Sequence, residues 1–254
     1  MSTSAQLSRQ RLGTVLNRTS IQQERQASKA CNIALHHFNK DVIKLDDNLS
    51  ITFKKTLTNE YAYQTIYGEK SNNVRMVQTY TKPDGGIFFL NYRDGDVLYT
   101  NPLLSYECKK QGTNKKRMKQ GLKKQAKGNA IERAFKNVCF FKKTFKHVKA
   151  NFYLVFGYGD DFITGSSINY RTIPLHNFKM PFDKKFSLAN PAFNKNSKVC
   201  NHDCDASVYL KEEEWTVNEM AETMYFTMFS MYAHYCHIYS IVPNFKRGSL
   251  WKCK

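Results

Sequence analysis

Asp94-Gly95 is the pair that most narrows what this chain can fold into. It sits between two runs, "GIFFLNY" at 86–92 and "DVLYTNPLLSYE" at 96–107, rich in aromatic and β-branched side chains. Glycine tolerates the positive φ that a two-residue hairpin loop demands, and the flanks have strand character, so the segment predicts an antiparallel ribbon. With Arg93 paired to Asp96, Asp84 lies opposite Ser105 and diagonal to Glu107. Alternation keeps Ser105, Glu107 and Lys109 on one face, so Asp84, Glu107 and Lys109 are expected to converge. Pro102 has no N–H to give to a ladder and marks where a bulge would invert that face.

Two carboxylates and an ammonium on one patch suit a hard divalent cation such as Mg²⁺, which takes one or two protein carboxylates and completes its shell with water and phosphate oxygens. Such a metal acidifies bound water and neutralises charge building on a phosphate, while Lys109 steers the nucleophile or stabilises the pentavalent state. The same residues also fit an ordinary exposed Glu–Lys pair near a strand end, which does nothing chemical.

A helical stretch at about 126–147 and the strand-like "NFYLVFGY" at 151–158 follow the hairpin. That order predicts an α/β chain with a mixed sheet. Further on, residues 223–242 carry no Asp, Glu, Lys or Arg. Their Thr, Ser, Tyr and His content is too polar for lipid on all sides, and Met220, Met224, Met228 and Met231 share one helical face. Thr216 with Glu219 forms a capping-box pattern at the start, so a long core or interface helix is expected and no membrane span. Residues 1–28, with scattered Arg and Gln, read as a basic arm ahead of one domain at 29–254, within which 165–205 is loop-rich. The seven cysteines form no disulfide framework, and the N-terminus shows no signal-peptide pattern, which points to a reducing cytoplasm. Cys200, His202 and Cys204 lack the second pair a zinc site needs, and His234, Cys236 and His237 fall on the expected helix.

Charge then indicates a partner. The chain has 39 Lys and Arg against 21 Asp and Glu, a net +18 that attracts polyanions, nucleic acid first. Residues 109–127 hold nine basic residues and no acid, among them Lys115, Lys116 and Arg117. Beside a metal site such a run is suited to phosphate contact; by itself it is equally a solvated loop.

Pro83-Asp84 and Glu107-Cys108-Lys109 form the pattern PD…ExK, which resembles the PD-(D/E)xK nuclease superfamily. More specifically, "KPDGGI" at 82–87, "LLSYECKKQG" at 103–112 and "GNAIERAFKN" at 128–137, in this order and spacing, resemble the EcoRI-type type II restriction endonucleases. The resemblance implies a homodimer with a central mixed β-sheet flanked by helices in each subunit. It implies Mg²⁺-dependent cutting of both strands of a short DNA palindrome, leaving a 3′-hydroxyl and a 5′-phosphate. Carried over residue by residue, Asp84, Glu107 and the carbonyl of Cys108 hold the metal, and Lys109 is the catalytic lysine. The recognition segment maps to Gly128, Asn129 and Ala130, with Arg133 contributing to purine recognition and Glu132 tying the two subunits' reading elements together. Asn129 has the amide that pairs with adenine. Gln111 is a further reading candidate. Gln125 and Ala126 lie where the family reads the outer base pair, and Gln125-Ala126-Lys127 is more polar than the family pattern, so an AATT-type core is expected with its flanking bases open. Arg171 is a candidate for those outer positions. In this family the host, a bacterium, is protected by a methyltransferase acting on the same site. Two other readings stand beside this one: a PD-(D/E)xK nuclease serving repair or a mobile element, and a nonenzymatic basic nucleic-acid-binding protein.

Overall fold

Three layers follow from how the apolar residues are spaced. The computed structural model describes residues 15–68, 79–110, 119, 121, 129–148, 150–158, 207–211 and 213–241; for 15–20, 110, 129–136, 208, 210 and 211 it describes the backbone alone. The described elements are α1 (Val15–Asp41), β1 (Leu49–Lys54), β2 (Leu57–Thr58), α2 (Asn59–Tyr67), β3 (Tyr80–Thr81), β4 (Ile87–Asp94), β5 (Val97–Lys110), α3 (Asn129–Thr144), β6 (Tyr153–Tyr158), β7 (Ser207–Lys211) and α4 (Val217–Ile238). Five strands form the middle layer in the order β1-β4-β5-β6-β7, and β2 with β3 makes a small separate ribbon. β1, β4 and β5 pair antiparallel, whereas β5, β6 and β7 pair parallel, so the sheet is mixed, as expected.

The parallel half needs cover on both faces, and all six residues of β6 are buried. On one side α1 presents Ala27, Ala30, Cys31, Ala34 and Phe38, an i, i+3, i+4 stripe that is buried throughout. Its small side chains let α4 come close, and Met220, Met224, Met228 and Met231 of α4 are buried as the spacing predicts. Thr216 and Glu219 complete the capping box that starts α4. No helix among the described residues is long and apolar enough to cross a membrane. On the other side Phe141 of α3 lies over Tyr153 at a ring separation of 5.2 Å, and Phe145 over Phe89 at 6.0 Å.

Several local expectations shift. The expected boundary after residue 28 falls inside α1, which continues unbroken to Asp41 with Gln23 and Ala27 buried; residues 1–14 lie outside the described residues. The hairpin loop is Gly95-Asp96 rather than Asp94-Gly95, because Gly95 takes the positive φ, 56°, at the first loop position. Asp94 therefore pairs with Val97, and the register differs from the expected one. The bulge that Pro102 foreshadows is present: Phe89 pairs with Pro102 and Phe88 with Leu104, leaving Leu103 as the extra residue. Tyr235 of α4 donates to the Pro102 carbonyl at 2.6 Å, so that carbonyl has a partner at the bulge.

Candidate active site

Glycine chemistry places the first acid. In Pro83-Asp84-Gly85-Gly86 the chain turns sharply, the Gly86 N–H donating to the Pro83 carbonyl at 3.1 Å with Gly86 at φ 66°. Gly85 is needed for another reason: a Cβ there would meet the Tyr106 ring at 2.2 Å. Two bonds tie the turn to β5, from the Gly85 N–H to the Tyr106 carbonyl (3.0 Å) and from the Ser105 hydroxyl to the Gly86 carbonyl (2.8 Å).

That turn explains why the bulge does not scatter the cluster. Below the bulge Ile87 pairs with Ser105. Were the ladder to continue, Asp84 would share the face of Cys108, opposite to Glu107 and Lys109. Instead β4 has not yet begun at Asp84. Its carboxylate lies at the strand edge, accepting from the Cys108 N–H at 3.1 Å and from Lys109 Nζ at 2.9 Å. Lys109 Nζ also stands 2.6 Å from Glu107 Oε2. Asp84, Glu107 and Lys109 thus converge as expected, through the turn and not through the expected register.

Burial differs sharply within the cluster. The Glu107 side chain is 1 % exposed, that of Lys109 15 % and that of Asp84 28 %. Desolvation pulls the Lys109 ammonium down, but attraction by Glu107 and Asp84, with a hydrogen bond to each, raises it overall, so it is held as a cation. Glu107 Oε1 accepts from the Tyr153 hydroxyl and from the Asn137 amide. Burial, then the Glu107 charge, push the Tyr153 phenol well above its ordinary range, so it remains a donor. Burial likewise raises the Cys108 thiol, which keeps it out of thiolate chemistry.

The oxygens here could hold a hard cation. The two carboxylates already share one positive head, and the Cys108 carbonyl faces the same strand edge as its N–H, where Asp84 sits. Among the described residues no group of three His, Cys, Asp or Glu has metal-holding geometry. A donor set of two carboxylates and a carbonyl suits Mg²⁺, which keeps several waters, better than it suits zinc.

Tyr153, Asn137 and Glu24 were not anticipated. Asn137 closes the "GNAIERAFKN" stretch, but nothing in its spacing assigns it to Glu107. Glu24 of α1 lies close enough to the site that Asp84 acts on it: desolvation, then the Asp84 charge, raise its carboxyl, while Lys109 and Lys82 lower it in part. Of the DNA-reading candidates, Asn129, Ala130, Glu132 and Arg133 fall in the first turns of α3, Asn129 being its first residue. Gln111, Lys115, Lys116, Arg117, Gln125, Ala126, Gly128 and Arg171 lie outside the described residues, as do Cys200, His202 and Cys204.

Residues 10–230 match the protein-family model of restriction endonuclease EcoRI. No curated protein matches the chain. The matched span takes in the whole sheet, α1 to α3, most of α4, and the Asp84–Lys109–Glu107 cluster, and on that ground the chain belongs to the restriction endonuclease EcoRI family, nucleases that act on DNA.

Proposed function

We propose that the protein is a type II site-specific deoxyribonuclease that uses Mg²⁺ to hydrolyse both strands of a short palindrome with an AATT-type core. The observation that carries this reading is Lys109 Nζ held 2.9 Å from Asp84 and 2.6 Å from Glu107 at the mouth of β5. Asp84, Glu107 and the Cys108 carbonyl would hold the metal, which supplies an acidified water and neutralisation of charge on the phosphate. The residues themselves supply the geometry. The Cys108 N–H fixes Asp84 from below, and Tyr153 and Asn137 fix Glu107 from behind. Lys109, 2.9 Å from Asp84 and 2.6 Å from Glu107, stands where its ammonium can donate a hydrogen bond to the attacking water or a phosphate oxygen.

DNA enters through charge and is read by α3. Lys115, Lys116 and Arg117 contact phosphates, with a steep salt dependence. Gly128, Asn129, Ala130, Glu132 and Arg133 meet the core bases, aided by Gln111; Gln125, Ala126 and Arg171 meet the flanks. Cutting both strands of a palindrome calls for two copies related by a twofold axis, hence a homodimer. A methyltransferase for the same site is its functional pair, and the bacterial cytoplasm its place of action.

Plasmid DNA digested with Mg²⁺ should give discrete double-strand fragments with common ends, and none with EDTA. Asp84→Ala should lose at least about a hundredfold in cleavage, several kcal/mol of charge stabilisation, while salt-sensitive DNA binding persists. A smear, or binding without any cutting by the unaltered protein, would overturn the reading.

A further inference from the structure

Glu107 is held by two donors that belong to different parts of the molecule. Tyr153 is on β6, inside the sheet and in register beside Ser105, so its hydroxyl is part of the rigid frame. Asn137 is on α3, a separate helix that lies over the sheet through Phe141, packed on Tyr153, with Val138 also buried. Both donate to the same oxygen, Oε1, and leave Oε2 facing Lys109.

α3 has two ends with different tasks. Its first residue is Asn129, and Asn137 follows eight positions later, about 12 Å along one hydrogen-bonded rod. A helix of this length moves as a unit, so a displacement imposed at its first turn arrives at Asn137. A hydrogen bond tolerates only a few tenths of an ångström of stretch before it weakens steeply. An ångström of slide or tilt would therefore release Oε1 from the amide while Tyr153 still holds it, leaving the carboxylate with one donor and freer to rotate.

We propose that Asn137 is a positioning residue through which α3 couples base reading at its N-terminal end to the carboxylate of Glu107. This rests on the function proposed above, in which residues 129–133 contact bases. When those residues seat on the correct sequence, α3 lies where Asn137 reaches Glu107, and the carboxylate is oriented for catalysis. On a wrong sequence α3 sits off its place, and Glu107 is held by Tyr153 alone. Part of the discrimination is then exercised in the cutting step rather than in binding.

The test compares Asn137→Ala, Asn137→Asp and Tyr153→Phe with the unaltered protein. The measurements are cleavage of the cognate site and of a single-mismatch site, DNA affinity in EDTA, and the Mg²⁺ concentration that half-saturates the shift in melting temperature. Asn137→Ala should bind cognate DNA as tightly as the unaltered protein but cut it about tenfold more slowly, and need about tenfold more Mg²⁺ in the melting titration, at the low end for an outer partner of a metal ligand. Its mismatch cleavage should not change, so discrimination falls by the same factor. Asn137→Asp keeps the shape but replaces the amide donor with a second carboxylate against Glu107, so at a pH where both are ionised it should cut the cognate site at least as slowly as Asn137→Ala. Tyr153→Phe should slow both sites equally. The inference is overturned if Asn137→Ala slows both sites by one factor, leaves the Mg²⁺ titration unmoved, or if Asn137→Asp behaves as the unaltered protein. Failure of the unaltered protein to cut any DNA with Mg²⁺ is a separate result, which removes the function proposed above and this coupling with it.

Discussion

Replacing Gly85 by alanine tests how Asp84 comes to be where it is. The added Cβ would stand 2.2, 2.4 and 2.5 Å from three atoms of the Tyr106 ring, whereas carbons rest about 3.5–4.0 Å apart. Something must yield by about an ångström. The ring has little room, being 5 % exposed and bonded to Ser28 of α1. If the turn lifts instead, the Gly85–Tyr106 backbone bond and the Asp84 contact with the Cys108 N–H both stretch. Overpacking of this kind costs about 1–3 kcal/mol, which for a chain of this size lowers the melting temperature by roughly 2–12 °C. An ångström of misplacement at a catalytic group costs about a hundredfold in rate. Thermal melting and single-site cleavage read the two effects separately. A double-mutant cycle with Tyr106→Leu should return a coupling of about 1–3 kcal/mol, since without the ring the added methyl has space. If Gly85→Ala melts with the unaltered protein and cuts at its rate, the close seating of the turn on Tyr106 is refuted.

Lys109→Ala leaves the buried Glu107 facing Asp84 without their shared countercharge, so the metal-free protein should lose about 3 kcal/mol in chemical denaturation, and added Mg²⁺ should stabilise the variant more than the unaltered protein. An unchanged denaturation midpoint would mean that the ammonium is not what balances the pair. Glu24 has a raised carboxyl in the folded protein, which binds its proton more tightly than the unfolded chain does. Stability therefore falls as pH rises from the ordinary carboxylate range through the raised value, and the charged Glu24 is unfavourable at neutral pH. Glu24→Gln should melt higher than the unaltered protein at neutral pH, with the gap closing in acid. A gap that does not vary with pH would mean that burial and, after it, the Asp84 charge do not raise the Glu24 carboxyl in the folded protein.

The hairpin and the capped methionine-faced helix were legible because each rests on neighbours in sequence; the convergence of Asp84, Glu107 and Lys109 was legible as an outcome, although the register it was argued from did not hold. A glycine that accepts positive φ, a Thr–Glu pair three apart and an alternation of two are local chemistry. Even there the details depended on more than the local run. The loop moved one residue to give Gly95 its φ, the bulge at Leu103 inverted the expected face, and the Pro-Asp-Gly-Gly turn recovered the convergence by lifting Asp84 out of the ladder. The arm expected to end at residue 28 runs on into α1, where Gln23 and Ala27 are buried and Gln23 bonds the Trp215 carbonyl, almost two hundred residues later.

By itself the sequence determined the chemistry available: two acids, a lysine and a carbonyl spaced to meet at one strand end, in a chain with charge enough to draw DNA. Only the tertiary structure decided how those groups are held. Tyr153 arrives from a parallel strand and Asn137 from a helix over the sheet, each across a long stretch of chain. Nothing in the spacing of residues far apart in sequence says which will touch, because that is settled when the layers pack and a buried carboxylate must find donors for every oxygen it takes out of water.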